Sequence, residues 1–158
     1  MPNSRIAHLK GTFVALLTPM DIAGNLQLEY LPDLLAFHRQ NGVVGVVSGG
    51  TNSEATSLSV SERKRLLEAT LAQSNGLHVM AGTGATSLTD ALELTRHAAE
   101  CGAEAALVVP PFFVKNPSPL GLYNYFKALL DSADIPLLLY HIPAFTAVPI
   151  PDELIDNL

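Results

Sequence analysis

The sequence has no tryptophan, a single cysteine and little charge. One thiol, Cys101, excludes an internal disulfide, and a packed, reduced thiol in a cytoplasmic protein is expected. Charged residues amount to 15%, and the balance is acidic, −6 from 9 Lys+Arg against 15 Asp+Glu. That excludes the basic footprint of a nucleic-acid binder. The one basic cluster, Arg63-Lys64-Arg65, reads as a solvated helix face. No apolar run approaches the roughly 18 residues of a membrane span. The opening MPNSRIAHLKG lacks the apolar stretch of a signal peptide. His8, His38, His78 and His97 are scattered along the chain and suggest no metal site. Lysine is confined to Lys10, Lys64, Lys115 and Lys127. None falls late on a predicted strand, where a desolvated amine can form a Schiff base.

What is present is a repeating unit. A short apolar strand is followed by a Gly/Ser/Thr/Pro-rich loop and then an amphipathic helix, which often stops at a glycine. Strands are predicted at 13–17, 43–47, 77–81, 105–109 and 136–140. The first helix is predicted over 28–40, with Leu31, Leu34, Leu35 and His38 on one face. The second starts at the capping box Ser59-Val60-Ser61-Glu62, and the third at the related Ser87-Leu88-Thr89-Asp90. The fourth spans 121–130, and a last one starts near Pro151, read as a first-turn proline. Strict alternation implies a parallel sheet with right-handed crossovers. Two architectures compete, an open doubly wound sheet and a closed (β/α)8 (TIM) barrel. A whole barrel needs about 250 residues. At about 30 residues per unit, the 158 residues cover the first five βα units of a single domain. The ending DELIDNL suits no natural terminus of such a sheet, so more chain is expected to follow.

The polar and special residues gather after the strands, while the opposite loops are bland: NG, NG and CG. Active sites of both architectures lie at the C-terminal strand ends. Gly82-Thr83-Gly84-Ala85-Thr86-Ser87 is only half a dinucleotide fingerprint and has no ribose-binding acid after it. The loop from Gly49 to Ser53 can aim backbone N–H groups at a carboxylate, or be a tight turn with no ligand. Glu54 is read as bracing that loop by accepting N–H bonds. Tyr140 can relay protons with Thr51 as its hydroxyl neighbour, or simply pack with its hydroxyl in water. His141 alternates away from Tyr140 and is read as structural. Phe112, Phe113 and Phe145 can line an apolar wall, or pack beneath the loops.

These residues resemble the dihydrodipicolinate synthase and N-acetylneuraminate lyase family of class I aldolases. Four blocks match in order: GTFVALLTP, GGTNSEATSLSVSER, AGTGA with its helix, and PPFF…GLYNYF…IPLLLYHIP. The resemblance implies a closed eight-stranded barrel and a homo-oligomer, dimer or tetramer. It implies that Gly50, Thr51 and Asn52 hold the carboxylate of pyruvate or another 2-keto acid. It implies that Tyr140 moves protons, with Thr51 beside it. The family's Schiff-base lysine lies on the sixth strand, beyond residue 158, so no cofactor is expected and the 158 residues alone are expected to be inactive. Three positions depart from the pattern. Ser53 stands where glycine is usual, Phe113 where the synthases place a second relay tyrosine, and Phe145 where they place a substrate-binding arginine. Phe113 and Phe145 argue against a true synthase, and Asn52 is closer to the aldolases of 2-keto-3-deoxy sugar acids and 4-hydroxy-2-oxoglutarate, so the resemblance implies cleavage of such an acid. Synthase-like condensation with an aldehyde is the alternative. A self-associating half-barrel without activity, or a flavodoxin-like binding module, are the non-enzymatic ones.

Overall fold

A computed structural model describes residues 4–158. The apolar runs become β1 (Phe13–Ala15), β2 (Gly45–Ser48), β3 (His78–Gly82), β4 (Ala105–Val108) and β5 (Leu137–Leu139). Each is displaced or shortened by a residue or two from its predicted span. Every neighbouring pair is parallel, with Val14 opposite Val46, Val46 opposite Val79, Ala81 opposite Ala106, and Leu107 opposite Leu138. The sheet order is β1-β2-β3-β4-β5, the order of the chain itself. A doubly wound sheet reverses its direction of growth at a switch point, and here there is no reversal. The flavodoxin-like alternative is thereby excluded, and the sheet has the sequential order of a barrel wall.

The intervening helices are α1 (Leu31–Gln40), α2 (Val60–Ala72), α3 (Leu88–Glu100) and α4 (Pro119–Leu130). The first predicted helix divides. Leu28–Tyr30 is a 3-10 turn and α1 begins at Leu31. Pro32 is the cause, because it has no N–H to give to the Leu28 carbonyl; the Leu31 N–H takes that acceptor instead. The capping box at Ser59 forms in both directions, with Glu62 N–H on Ser59 Oγ and Ser59 N–H on Glu62 Oε2 at 2.8 Å. The fourth helix starts two residues before its predicted start, because Ser118 caps it and Pro119 takes the first turn. Two short helices follow, α5 (Pro143–Thr146), which was not expected, and α6 (Asp152–Asn157). Pro151 caps α6 from outside.

Strand alternation separates two apolar layers. Val46, Val79, Ala81, Ala106 and Val108 face the helices and pack with Leu35, Leu66, Phe126 and Leu129. Burying a side chain of this size contributes about 1.5–3 kcal/mol, and Leu66, Phe126 and Leu129 are almost wholly buried. Val47, Met80 and Ala105 point to the other face, packed with Phe13, Leu107 and Leu138. This inner face ends, at the C-terminal strand tips, in the candidate site.

Candidate active site at the strand ends

The loops after β2, β3, β4 and β5 enclose a cavity of about 200 Å³. It is small beside the roughly 300–1,000 Å³ of sites for drug-sized ligands. Gly50 and Thr51, Gly82 and Gly84, Val109 and Phe112, and Tyr140 and Phe145 contribute to its lining. No lining residue carries a formal charge. A ligand carboxylate there depends on N–H and O–H donors.

The loop after β2 supplies them. Gly49 has φ +73° and Glu54 φ +55°, so the chain reverses sharply between them. Within the turn, the N–H of Gly49 donates to Ser53 Oγ (3.1 Å), that of Glu54 to the Thr51 carbonyl (3.1 Å), and that of Ala55 to the Gly50 carbonyl (3.4 Å). Among the described residues, no protein acceptor takes the N–H groups of Thr51 and Asn52. Successive unused amides of this kind form an anion nest. Ser53 stabilises the turn. It is 1% exposed; its hydroxyl donates to the Leu16 carbonyl, and its own carbonyl accepts from Thr18 Oγ1 at 2.7 Å. The loop is therefore anchored to the end of β1 by the residue that replaces the usual glycine. The bracing role expected of Glu54 falls to Ser53, while Glu54 is exposed in the left-handed region.

Tyr140 continues the β5 ladder, donating its N–H to the Val108 carbonyl (2.8 Å), and lines the same cavity as Thr51. The two hydroxyls share the cavity without a direct hydrogen bond. Such contacts often tighten only around substrate. Phe145 lines the rim, although 69% exposed. Phe113 departs from expectation. It is 81% exposed and outside the lining, and Phe112 takes the place expected of it. Asn52 is exposed and outside the lining too. His141 is structural, as read: its Nδ1 accepts from the Ile150 N–H at 3.1 Å. Lys115 binds the Phe112 carbonyl and, at 3.2 Å, that of Thr146, joining the loop after β4 to α5.

The basic cluster is the clearest correction. Lys64 and Arg65 remain on the outer face, but Arg63 is only 8% exposed. Its Nη2 donates to the carbonyls of Gly82 and Gly84 at 2.9 and 3.0 Å, both in the cavity wall. Burial pushes its pKa down to about 10, so it stays cationic at neutral pH. A charge triplet in sequence does not reveal which member lies on the inward side of the helix. Residue 63 lies three before Leu66 and four before Leu67, and that spacing is the signal that could have found it.

The glycines of the wall are sterically required. A Cβ on Gly82 would lie 2.3 Å from the Gly49 carbonyl oxygen and 2.9 Å from the Gly50 nitrogen. Both contacts are backbone, so relief requires moving the nest itself. Gly82→Ala is expected to cost about 1–3 kcal/mol through overpacking. Urea unfolding checks this; an unchanged midpoint would contradict it.

Residues 8–158 match the dihydrodipicolinate synthetase family. An uncharacterized DapA-like lyase of Chloroflexus aurantiacus is 44% identical over 97% of this chain and 52% of its own length. The 4-hydroxy-tetrahydrodipicolinate synthase of Neisseria meningitidis serogroup C is 40% identical, over 95% of this chain and 52% of its own. Among solved structures, dihydrodipicolinate synthase from Aquifex aeolicus superposes with a TM-score of 0.88 at 37% identity, over 93% of this chain and 50% of that one. A pyruvate complex of the Acinetobacter baumannii synthase gives 0.86 at 36%, over 91% and 50%. The chain spans about half the length of these relatives, and its five-stranded wall matches the N-terminal half of their barrels. The order of its strands, the matched residues and these likenesses agree: the chain belongs to the dihydrodipicolinate synthetase family.

Proposed function

We propose that the full-length protein is a class I aldolase. In this reading it binds pyruvate or another 2-keto acid as an imine on a lysine supplied from beyond residue 158. The observation that carries the reading is one small, uncharged cavity lined by both Thr51, at the start of the unused amides, and Tyr140. The N–H groups of Thr51 and Asn52, with the Thr51 hydroxyl, hold the carboxylate. Condensation of the lysine amine with the keto carbon releases water and makes a protonated imine. In the cleavage direction, Tyr140 takes the proton of the C4 hydroxyl, with Thr51 as its relay partner. The C3–C4 pair moves into the imine, leaving an enamine and an aldehyde. Protonation at C3 and hydrolysis release pyruvate. The imine is the electron sink, so the step needs no metal.

The substrate favoured is a 2-keto-3-deoxy sugar acid, ahead of a 4-hydroxy-2-oxoglutarate-like acid, which carries a second carboxylate. Phe112 and Phe145 make the rim of this half apolar. A second carboxylate buried against them would cost several kcal/mol without a partner. Synthase-like condensation is the second reading, supported by the relatives named as synthases. The protein is taken to be a cytoplasmic homo-oligomer. Borohydride added to the full-length protein with pyruvate is expected to trap a stable covalent adduct, seen as a mass increase absent when either reagent is omitted. No adduct would rule out the imine. A pyruvate-release assay on deoxy sugar acids, set against condensation with aspartate semialdehyde, separates the two substrate readings.

A further inference from the structure

The histidines that are scattered in sequence do not stay apart. His8 lies before β1, His78 is the first residue of β3, and Glu104 directly precedes β4. All three meet at the N-terminal strand ends, away from the candidate active site. His8 Nε2 contacts one oxygen of Glu104, and His78 Nδ1 lies 2.7 Å from the other. The two rings stand edge to face, with centroids 5.3 Å apart.

We infer that His8, His78 and Glu104 form a structural divalent-metal site suited to zinc. Two imidazole nitrogens and a carboxylate oxygen are a zinc-type donor set. A zinc ion about 2.0–2.2 Å from each donor needs donors within roughly 4 Å of one another. The three here lie within 4.8 Å of one another, so small rotations suffice. Two ligands are held in place before any metal arrives. The Phe13 ring stacks on His78 with an interplanar angle of 24°. The Glu104 N–H donates to the Val79 carbonyl at 3.0 Å, which fixes its backbone to β3. Arg5 bonds both the side chain and the carbonyl of Asp134. The side chains of His8, His78 and Glu104 are 50, 33 and 30% exposed. The site therefore has an entry path and room for a water as fourth ligand. Zinc displaces the protons that the imidazoles otherwise direct at Glu104. It ties the segment before β1 to the floor of β3 and β4.

Zinc is titrated into the purified full-chain protein against a chromophoric chelator. Wild type is expected to bind zinc with an affinity that falls at least tenfold in His8→Ala and in His78→Gln. Cys101→Ser is the control, because Glu68, His97 and Cys101 form a second group between α2 and α3; it is expected to leave that affinity unchanged. X-ray absorption of the zinc-loaded protein is expected to show nitrogen and oxygen ligands, two of them imidazoles, and no sulfur. His8 precedes the sheet, so His8→Ala decides alone if His78→Gln does not fold. Absence of zinc binding, wild-type affinity in His8→Ala, or sulfur in the metal's shell each overturn the assignment.

Discussion

Tyr140→Phe is expected to lower turnover in pyruvate release by about 10²–10⁴-fold, the usual contribution of a positioned acid–base group. The substitution deletes one oxygen and leaves the ring. The backbone bond from Tyr140 to Val108 is unaffected, and among the described residues the hydroxyl has no hydrogen-bond partner to lose. Stability should therefore change little. KM should also move little, because in the proposed mechanism the carboxylate is held by the loop after β2 and not by Tyr140. Steady-state kinetics of the full-length variant, with a urea midpoint measured alongside, is the test. Loss of turnover with an unchanged midpoint is the expected pattern. A variant within about threefold of wild type would remove Tyr140 from the chemistry; the reference for that comparison is the effect size just given.

Arg63→Met is expected to destabilise the fold by about 2–4 kcal/mol. Each hydrogen bond from a charged donor contributes about 1.5–3 kcal/mol, and Arg63 makes two, to Gly82 and Gly84. Methionine has similar length but leaves both carbonyls without that donor. Part of the loss is offset, because Arg63 Nε is buried with no hydrogen-bond partner, and its removal relieves a desolvation cost. The effect should extend to the site, since those carbonyls belong to the cavity wall. Urea unfolding gives the stability change, and KM for the keto acid reports the wall. A change below about 0.5 kcal/mol, the range of ordinary surface substitutions, would mean that the loop holds itself.

Much of the fold was legible because it rests on local patterns. The apolar runs, the capping box at Ser59, the one-way cap at Ser87 and the glycine stops all act within a few residues. Boundaries moved where one residue overrode the periodicity, as Pro32 does at the start of α1 and Ser118 at the start of α4. The short α5 was missed because Pro143–Thr146 offers a single turn, too little for any period to show. The site was legible in part. Position after a strand was enough to bring Gly50, Thr51, Tyr140 and Phe145 to one cavity. It could not tell Phe112 from Phe113, because in a loop alternation no longer decides which ring turns inward. The roles of Ser53 and Arg63 were hidden for another reason. Both act on backbone carbonyls of distant segments, Leu16 in one case and Gly82 and Gly84 in the other. Such partners have no side-chain signature. The meeting of His8, His78 and Glu104 likewise depends on the register that sets β3 beside β4.

The sequential strand order also bears on how the chain comes to be folded. Every strand after β1 has the one made just before it as a partner. No strand waits for a distant segment to close a gap in the middle of the sheet. Synthesis proceeds at about 5–20 residues per second, so a unit of about 30 residues leaves the ribosome within seconds. Each new strand can then dock on an edge that already exists, and its helix can cover the layer just laid down. The loop closures are short and their entropic costs arrive one at a time. A nest such as that after β2 can form once β1 supplies the Leu16 carbonyl, well before Tyr140 emerges to face it.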